Sequence, residues 1–448
     1  MTRPATDSTT DEQSGTTTRI DSNTRTMNPT TTLNDDAETD AQLMTDGGQT
    51  TIDDDADNDT TVRTASSISE DLTQPNRSDI LLVWDGVNCN PNGNPLGSDD
   101  APRQDEETEE ALVSPYRIKR YIRDQLFDDG DQILIKSSTQ NGFGRAASRE
   151  ELYRLVDDTI DVQAGEDPDD ATATGAYVCA LLDSAMDIRL FGAALSIDDK
   201  EDRIGPIVEA LPRQFRGPIQ FGTARSLHPV ELNHNTSDIT TVISSGKRES
   251  GEARKQGTFG KALRVKYALI AGDGTLDNRN AQHTRMTAAD AEQLDRTWWK
   301  AMKNQTTSAS KVGQSPRLYL RVAYEDAFSI GGLSTLIDLD TGEKGPEELR
   351  SIDDVTLDVT RLVERLRQEG ISERIEGIEL ITDLDLQIRI GDEVSEPGSA
   401  GAMLVDHLDD RIPEDAINVI NPYVDINWGV SPSAVTATGQ EERADGDD

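Results

Sequence analysis

Cysteine is nearly absent from this sequence: Cys89 and Cys179 are its only two, too few and too far apart for a disulfide framework or a zinc site. Aromatic residues make up 4% of the chain and hydrophobic residues 34%, so the part able to bury a core is shorter than the 448 residues present. Residues 1–76 contain no Phe, Tyr, Trp, Cys or Lys and consist largely of Thr, Asp, Ser, Asn and Gly. Such a segment cannot offset the entropy of ordering and is expected to be a disordered tail, as are residues 431–448. Long apolar runs are missing too. The longest near the start of the fold, Ile80–Trp84, falls far short of the roughly 20 residues a membrane helix needs, and no charged-then-apolar leader opens the chain. The expectation is a soluble, cytoplasmic protein with no membrane partner and no cofactor.

Positive charge is scarce as well. Lys plus Arg number 44 against 85 Asp plus Glu, a formal charge of -41 spread along nearly the whole chain. Such self-repulsion opposes a compact state in dilute buffer but is screened at molar salt, where the Debye length is about 3 Å. The balance therefore suits a hypersaline cytoplasm. Within so acidic a coat, the placement of the few cations carries more information than their sum.

Between the tails, strand-like and helix-like segments alternate without an evident repeat, an α+β pattern. Asp79–Val87 (DILLVWDGV) reads as a buried strand that enters the turn-rich run NCNPNGNP. A helix follows: Ser114 suits the N-cap, Pro115 the first turn, and Ile118, Ile122 and Leu126 recur on one face. Further strands are expected at Asp131–Lys136, Ile188–Phe191, Ile219–Phe221, Lys261–Ala271, Leu318–Tyr324 and Leu384–Ile390. Helices are expected around Tyr177–Ala185, after a Thr287/Asp290 capping box, and at Val359–Arg367. Residues 236–260 form a polar, Gly-rich excursion.

The helix from Pro115 carries Arg117, Lys119, Arg120 and Arg123, largely opposite its apolar stripe. This face reads either as a solvated surface or as a grip for phosphates. Seven of the eleven lysines (Lys247, Lys255, Lys261, Lys266, Lys300, Lys303, Lys311) fall in one stretch. Thr297–Tyr324 contains no acid while holding Lys300, Lys303, Lys311, Arg317 and Arg321, which points to an anionic ligand. The excursion, with Lys247, Arg248, Arg254 and Lys255, reads as either a projecting finger or an ordinary insertion. GTFGK (Gly257–Lys261) departs from a phosphate loop where Lys255 and Ala262 stand. The four His lack metal-ligand spacing and are expected to be structural. Asp99, Asp100 and Asp105 crowd one loop and are candidate Mg²⁺ ligands, in a composition where such clusters arise by bias.

VWDGVNCNPNGNP, APRQDEET, VSPYRIKRYIRD, DIRLFGA, GPIQFGTARSLHPV and QGTFGKALRVKYALIAGDG occur in this order between Arg77 and Asn427. The run resembles the CRISPR-associated backbone subunits of type I Cascade, in particular the subtype I-B branch of the repeat-associated mysterious protein superfamily. The resemblance implies a hand-shaped, RNA-binding domain over residues 77–430. Its palm would be ferredoxin-like, similar to RNA-recognition domains, with finger and thumb insertions and residues 236–260 as the thumb. It implies a non-enzymatic role: copies of the chain line up along CRISPR RNA and leave bases free to pair with target DNA. Implied companions are a repeat-processing endoribonuclease, an RNA 5'-end capping subunit, a large subunit and a recruited helicase-nuclease. By the same resemblance the RNA contacts are Asn90, Asn92, Gly93 and Arg103 of the first loop, the Arg117–Arg123 face, and Gln220, Arg225 and Ser226 in the palm. Lys247, Arg248, Arg254, Lys255 and Lys261 would serve the thumb.

This division of labour suits the chemistry. Base pairing reads the sequence, so the protein need only hold the backbone, which calls for Arg forks, amides and backbone N–H groups. Two other classes compete: a metal-dependent ribonuclease of the type III kind using Asp99 or Asp100, and a stand-alone RNA-binding protein.

Overall fold

Both faces of Asp79–Val87 are apolar, and a strand of that kind belongs in the middle of a sheet covered on two sides. The computed structural model places it there: β1, Arg77–Cys89, lies centrally in a nine-stranded sheet. The structure describes residues 73–94, 101–135, 178–194, 214–233, 237–240, 258–261, 263–304 and 310–429. Residues 1–72 of the expected first tail, the second tail, Asp99, Asp100, Lys136, Tyr177, His234, Lys247, Arg248, Arg254 and Lys255 lie outside them.

The other strands are β2 (Glu110–Val113), β3 (Ile219–Phe221), β4 (Ala224–Pro229), β5 (Leu232–Asn233), β6 (Arg264–Leu276), β7 (Gln314–Tyr324), β8 (Ile375–Thr382) and β9 (Ile417–Val419). Their order is β9-β8-β7-β1-β6-β4-β2, with β3 and β5 also paired to β6. β1 runs antiparallel to both β6 and β7, and β4 antiparallel to β6. Helix α1 (Pro115–Asp128) therefore lies in the chain between the parallel pair β1 and β4. A later helix, Ala288–Lys303, lies between the parallel pair β6 and β7. Each connection steps over one strand.

Alternation along β1 feeds two cores. Ile80, Leu82 and Trp84 pack with Ile118, Ile122 and Leu126 of α1 and with Trp298, Trp299 and Met302. Trp84 meets Trp298 edge-on at 6.4 Å. Leu81 and Val83 face a second layer that includes Leu362 and Leu404. Burying side chains of this size stabilises by about 1.5–3 kcal/mol each, so the stripe of α1 fixes which face that helix leaves outward. Both helix starts form as their sequences imply. Ser114 Oγ accepts from Arg117 N at 3.4 Å, and Thr287 and Asp290 make a reciprocal capping box that opens the Ala288–Lys303 helix.

Three expected strands are corrected. Residues 131–135 are not a strand, because the backbone N–H groups of Leu134 and Ile135 donate to the buried carboxylate of Asp187 at 2.9 and 3.0 Å. Residues 188–191 belong to a helix, α2 (Met186–Phe191), followed by Gly192 at φ 70°. A Cβ on Gly192 would sit 2.2 Å from Phe215 O, and one on Gly217 2.0 Å from Phe191 C; this close backbone approach admits only glycine. Of Leu384–Ile390, only Ile388–Ile390 is extended, in a separate four-stranded sheet. The excursion begins and ends in an antiparallel pair, Ser237–Thr240 with Thr258–Lys261, so Lys261 is separate from the strand β6 that follows.

Candidate nucleic-acid interface

The turn-rich loop after β1 is fastened to the start of α1 by one amide. Asn92 is buried; its Oδ1 accepts from Ser114 N (3.0 Å) and Ser114 Oγ (2.9 Å), and its Nδ2 donates to Gly93 O. Tyr121 of α1 donates to Pro91 O at 2.6 Å. Asn90 N donates to Ser310 O, while Lys311 Nζ donates to Asn90 O at 2.7 Å. Arg103 closes the other side: its backbone N donates to Asn92 O and its Nε to Gly93 O at 3.3 Å. Asn90 and Asn92 therefore shape the loop from within, and Arg103 is half-buried beside it.

The α1 cations divide into two kinds. Arg123 donates to Asp187 Oδ2 at 3.1 Å, against a carboxylate that is wholly buried. Its guanidinium is lowered in pKa by that burial, opposed by the charge of Asp187. The other three stand at the surface. Arg117 lies 5.7 Å from the Tyr121 ring centroid, Arg120 meets Asp124 one turn on at 2.7 Å, and Lys119 donates to Gln220 Oε1 at 2.8 Å. Surface i,i+4 pairs of the Arg120 kind, here half-buried, are worth under about 1 kcal/mol and exchange readily for a phosphate. Burial, then the neighbouring Arg123 charge, lowers the Lys119 pKa to about 8.

That value makes a prediction with a definite sign. Below about pH 8 Lys119 is an ammonium, so any affinity for a polyanion that passes through it should fall as pH rises from 7 to 9. The apo fold should respond oppositely, gaining stability from about pH 8 upward, because the unfolded chain then binds the proton more tightly. RNA titrations across this range should show the fall, and K119R should flatten it. An identical pH profile for K119R and the native chain would remove Lys119 from the interface.

In the palm, Gln220 also donates to Gly217 O, and Arg225 bridges Asp105 (2.9 Å) and Glu110 (3.1 Å) while half exposed. The Arg225 bond, and then the Glu107 and Thr108 backbone, hold the Asp105 carboxyl below its usual range, so this acid is engaged by protein donors. Ser226 is buried, accepting from Ala111 N and donating to His228 O. His228 is structural, as expected. Its Nε2 accepts from Leu269 N, its Nδ1 faces Pro229 O, its ring stacks on Tyr267 at 5.7 Å, and burial lowers its pKa. Among the described residues no group of three or more His, Cys, Asp or Glu is placed to hold a metal ion. No helix among them is long and apolar enough to cross a membrane.

The acid-free stretch is corrected. Four of its five cations are held inside the protein: Lys300 by Asp129 (2.5 Å), Arg317 by Asp85 and Asp383, Arg321 by Asp295 (2.6 Å) and Lys311 by a loop carbonyl, while Lys303 is exposed, 3.7 Å from Asp383. The partners come from distant segments, which a local count of acids cannot see. Sequence reasoning also passed over Tyr116, on the outward side of α1 and 83% exposed.

A family model for CRISPR-associated protein Cas7 matches residues 76–360. A relative from Haloferax volcanii, CRISPR-associated protein Cas7, is 42% identical over 329 residues, covering 72% of this chain and 91% of the relative. Two solved structures are also similar. A "CRISPR RNA-guided surveillance complex, pre-nicking" chain has a TM-score of 0.40 at 17% identity, covering 74% of this chain and 99% of its own. A "CRISPR RNA-guided surveillance complex" chain has 0.35 at 15%, with the same coverage.

Proposed function

The chain belongs to the CRISPR-associated Cas7 family, and from that premise we propose that it is the repeating backbone subunit of a type I-B Cascade, gripping CRISPR RNA along its spacer. The observation that carries the reading is helix α1, which presents Arg117, Lys119 and Arg120 away from its apolar stripe and whose start is locked to the NPNGNP loop by Asn92. In a chain of net charge -41, cations gathered on one outward face are suited to a polyanion.

Supporting a ferredoxin-like palm is the order β7-β1-β6-β4, with a helix joining β1 to β4 and another joining β6 to β7. The domain organisation we propose is an acidic tail over 1–76, a hand over 77–430 and an acidic tail from 431, with 236–260 as thumb. Lys247, Arg248, Arg254, Lys255 and Lys261 would reach the RNA of a neighbouring copy. Gly93, Arg103, Gln220 and Arg225 would contact RNA directly, whereas Asn90, Asn92 and Ser226 would act by shaping the backbone around it. The protein would work in the cytoplasm beside the processing, capping and large subunits, without catalysing cleavage. Target DNA would pair with the guide and be cut by a recruited helicase-nuclease.

Assembly tests this reading. With guide RNAs of increasing spacer length at multimolar salt, native mass measurements should show copy number rising in step with length. A fixed oligomer indifferent to RNA length would sink the backbone role, and a single copy per RNA would favour a stand-alone RNA-binding protein.

A further inference from the structure

Burial of Ile118, Ile122 and Leu126 turns the opposite side of α1 outward, and residues 116 and 120 share that side by helical geometry. Tyr116 opens it. Its ring is 83% exposed, and its hydroxyl makes no hydrogen bond among the described residues. Every other described tyrosine is either buried, as Tyr121, Tyr267, Tyr319 and Tyr324 are, or bonded through its hydroxyl, as Tyr423 is to Asp383. In a chain that is 4% aromatic, a fully presented ring at this position is unusual. A second feature points the same way. The first turn of α1 holds no acid, although the chain has 85 and acids are favoured at that end of a helix. Arg120 stands one turn along from the ring instead, and Arg117 follows Tyr116 in the chain with its guanidinium over Tyr121. An aromatic face one turn from a cation, with no acid in the turn that carries the ring and Asp124 only beyond Arg120, is a pairing suited to a single strand: the cation takes a phosphate and the ring takes a base.

We propose that Tyr116 is a stacking platform for a nucleobase of the RNA strand held by α1. This rests on the reading of α1 as an RNA-binding face. The ring gives up its water to the base, whose π-face is the same for any sequence, so the contact holds position without reading identity.

The test uses the full chain and a guide-length RNA, titrated over a series of salt concentrations, for the native protein and for Y116A, Y116F and R120A. Y116A should bind about 10-fold more weakly with the salt slope unchanged, because stacking releases no counterions. Y116F should bind like the native chain, since the ring and not the hydroxyl stacks. R120A should lower the slope by about 0.7, as expected for one lost phosphate contact to a single strand. Native affinity in Y116A, or a loss in Y116F equal to that in Y116A, would overturn the stacking role while leaving RNA binding by α1 intact. Native RNA affinity in Y116A combined with failed copy-to-copy assembly would assign the ring to a protein contact instead. No RNA binding by the native chain would overturn both this inference and the reading beneath it.

Discussion

Replacing Arg123 by Ala is expected to destabilise the fold by about 3 to 5 kcal/mol, a large part of the total stability of a typical domain. The substitution removes the cation that faces Asp187, a carboxylate with no exposed surface, and leaves that charge uncompensated. Asp187 is also the acceptor for Leu134 N and Ile135 N, so loosening it frees the segment after α1 as well as the packing of α2. The double variant R123A/D187N should recover part of the loss, because an amide oxygen can still accept a backbone bond while no buried charge is stranded. Denaturant unfolding at fixed high salt measures both. If R123A unfolds like the native chain but loses RNA, Arg123 acts at the interface and its pairing with Asp187 is incidental.

How much could be read from the sequence follows the range of the forces involved. β1 and the start of α1 were legible because their causes are local: a two-sided apolar run, a Ser-Pro cap and a stripe of Ile118, Ile122 and Leu126. DIRLFGA was misread because a short apolar alternation suits a strand or a buried helical turn equally. What decides is Asp187, which draws in Arg123 and the 134–135 backbone from more than fifty residues away. β8 was missed because Gly377 and Glu379 interrupt the apolar pattern of IEGIELIT, yet pairing with β7 holds it as a strand. The cation-rich stretch misled for a related reason. Lys300, Arg317 and Arg321 look unpaired along the chain and find Asp129, Asp85, Asp383 and Asp295 only in the fold. The α1 face was visible as a charge pattern, but that Arg123 faces the buried Asp187 while Arg117, Lys119 and Arg120 do not required the partners to be placed.

That separation sets the second large effect. Replacing Arg117, Lys119 and Arg120 together by Ala should leave stability nearly intact, since all three are half-buried surface cations, none faces a wholly buried carboxylate as Arg123 does, and surface charge changes usually cost under about 0.5 kcal/mol each. RNA affinity should fall by about 100-fold or more, as charge-assisted hydrogen bonds contribute roughly 1.5–3 kcal/mol apiece and multimolar salt removes most long-range attraction that might compensate. Conservative replacement of Arg120 by Lys should recover only part of the affinity, because an ammonium lacks the two-pronged geometry a guanidinium offers a phosphate.

The most direct measurement is to purify the tagged native chain and the triple variant R117A/K119A/R120A from the native host at its own salt concentration. The RNA that accompanies each is then sequenced and quantified, with an unfolding curve taken on the same material. The account predicts CRISPR-repeat-derived guide RNA with the native chain, its loss from the triple variant, and superimposable unfolding curves. Guide RNA retained by a well-folded triple variant, or a native chain that carries no such RNA, would contradict it.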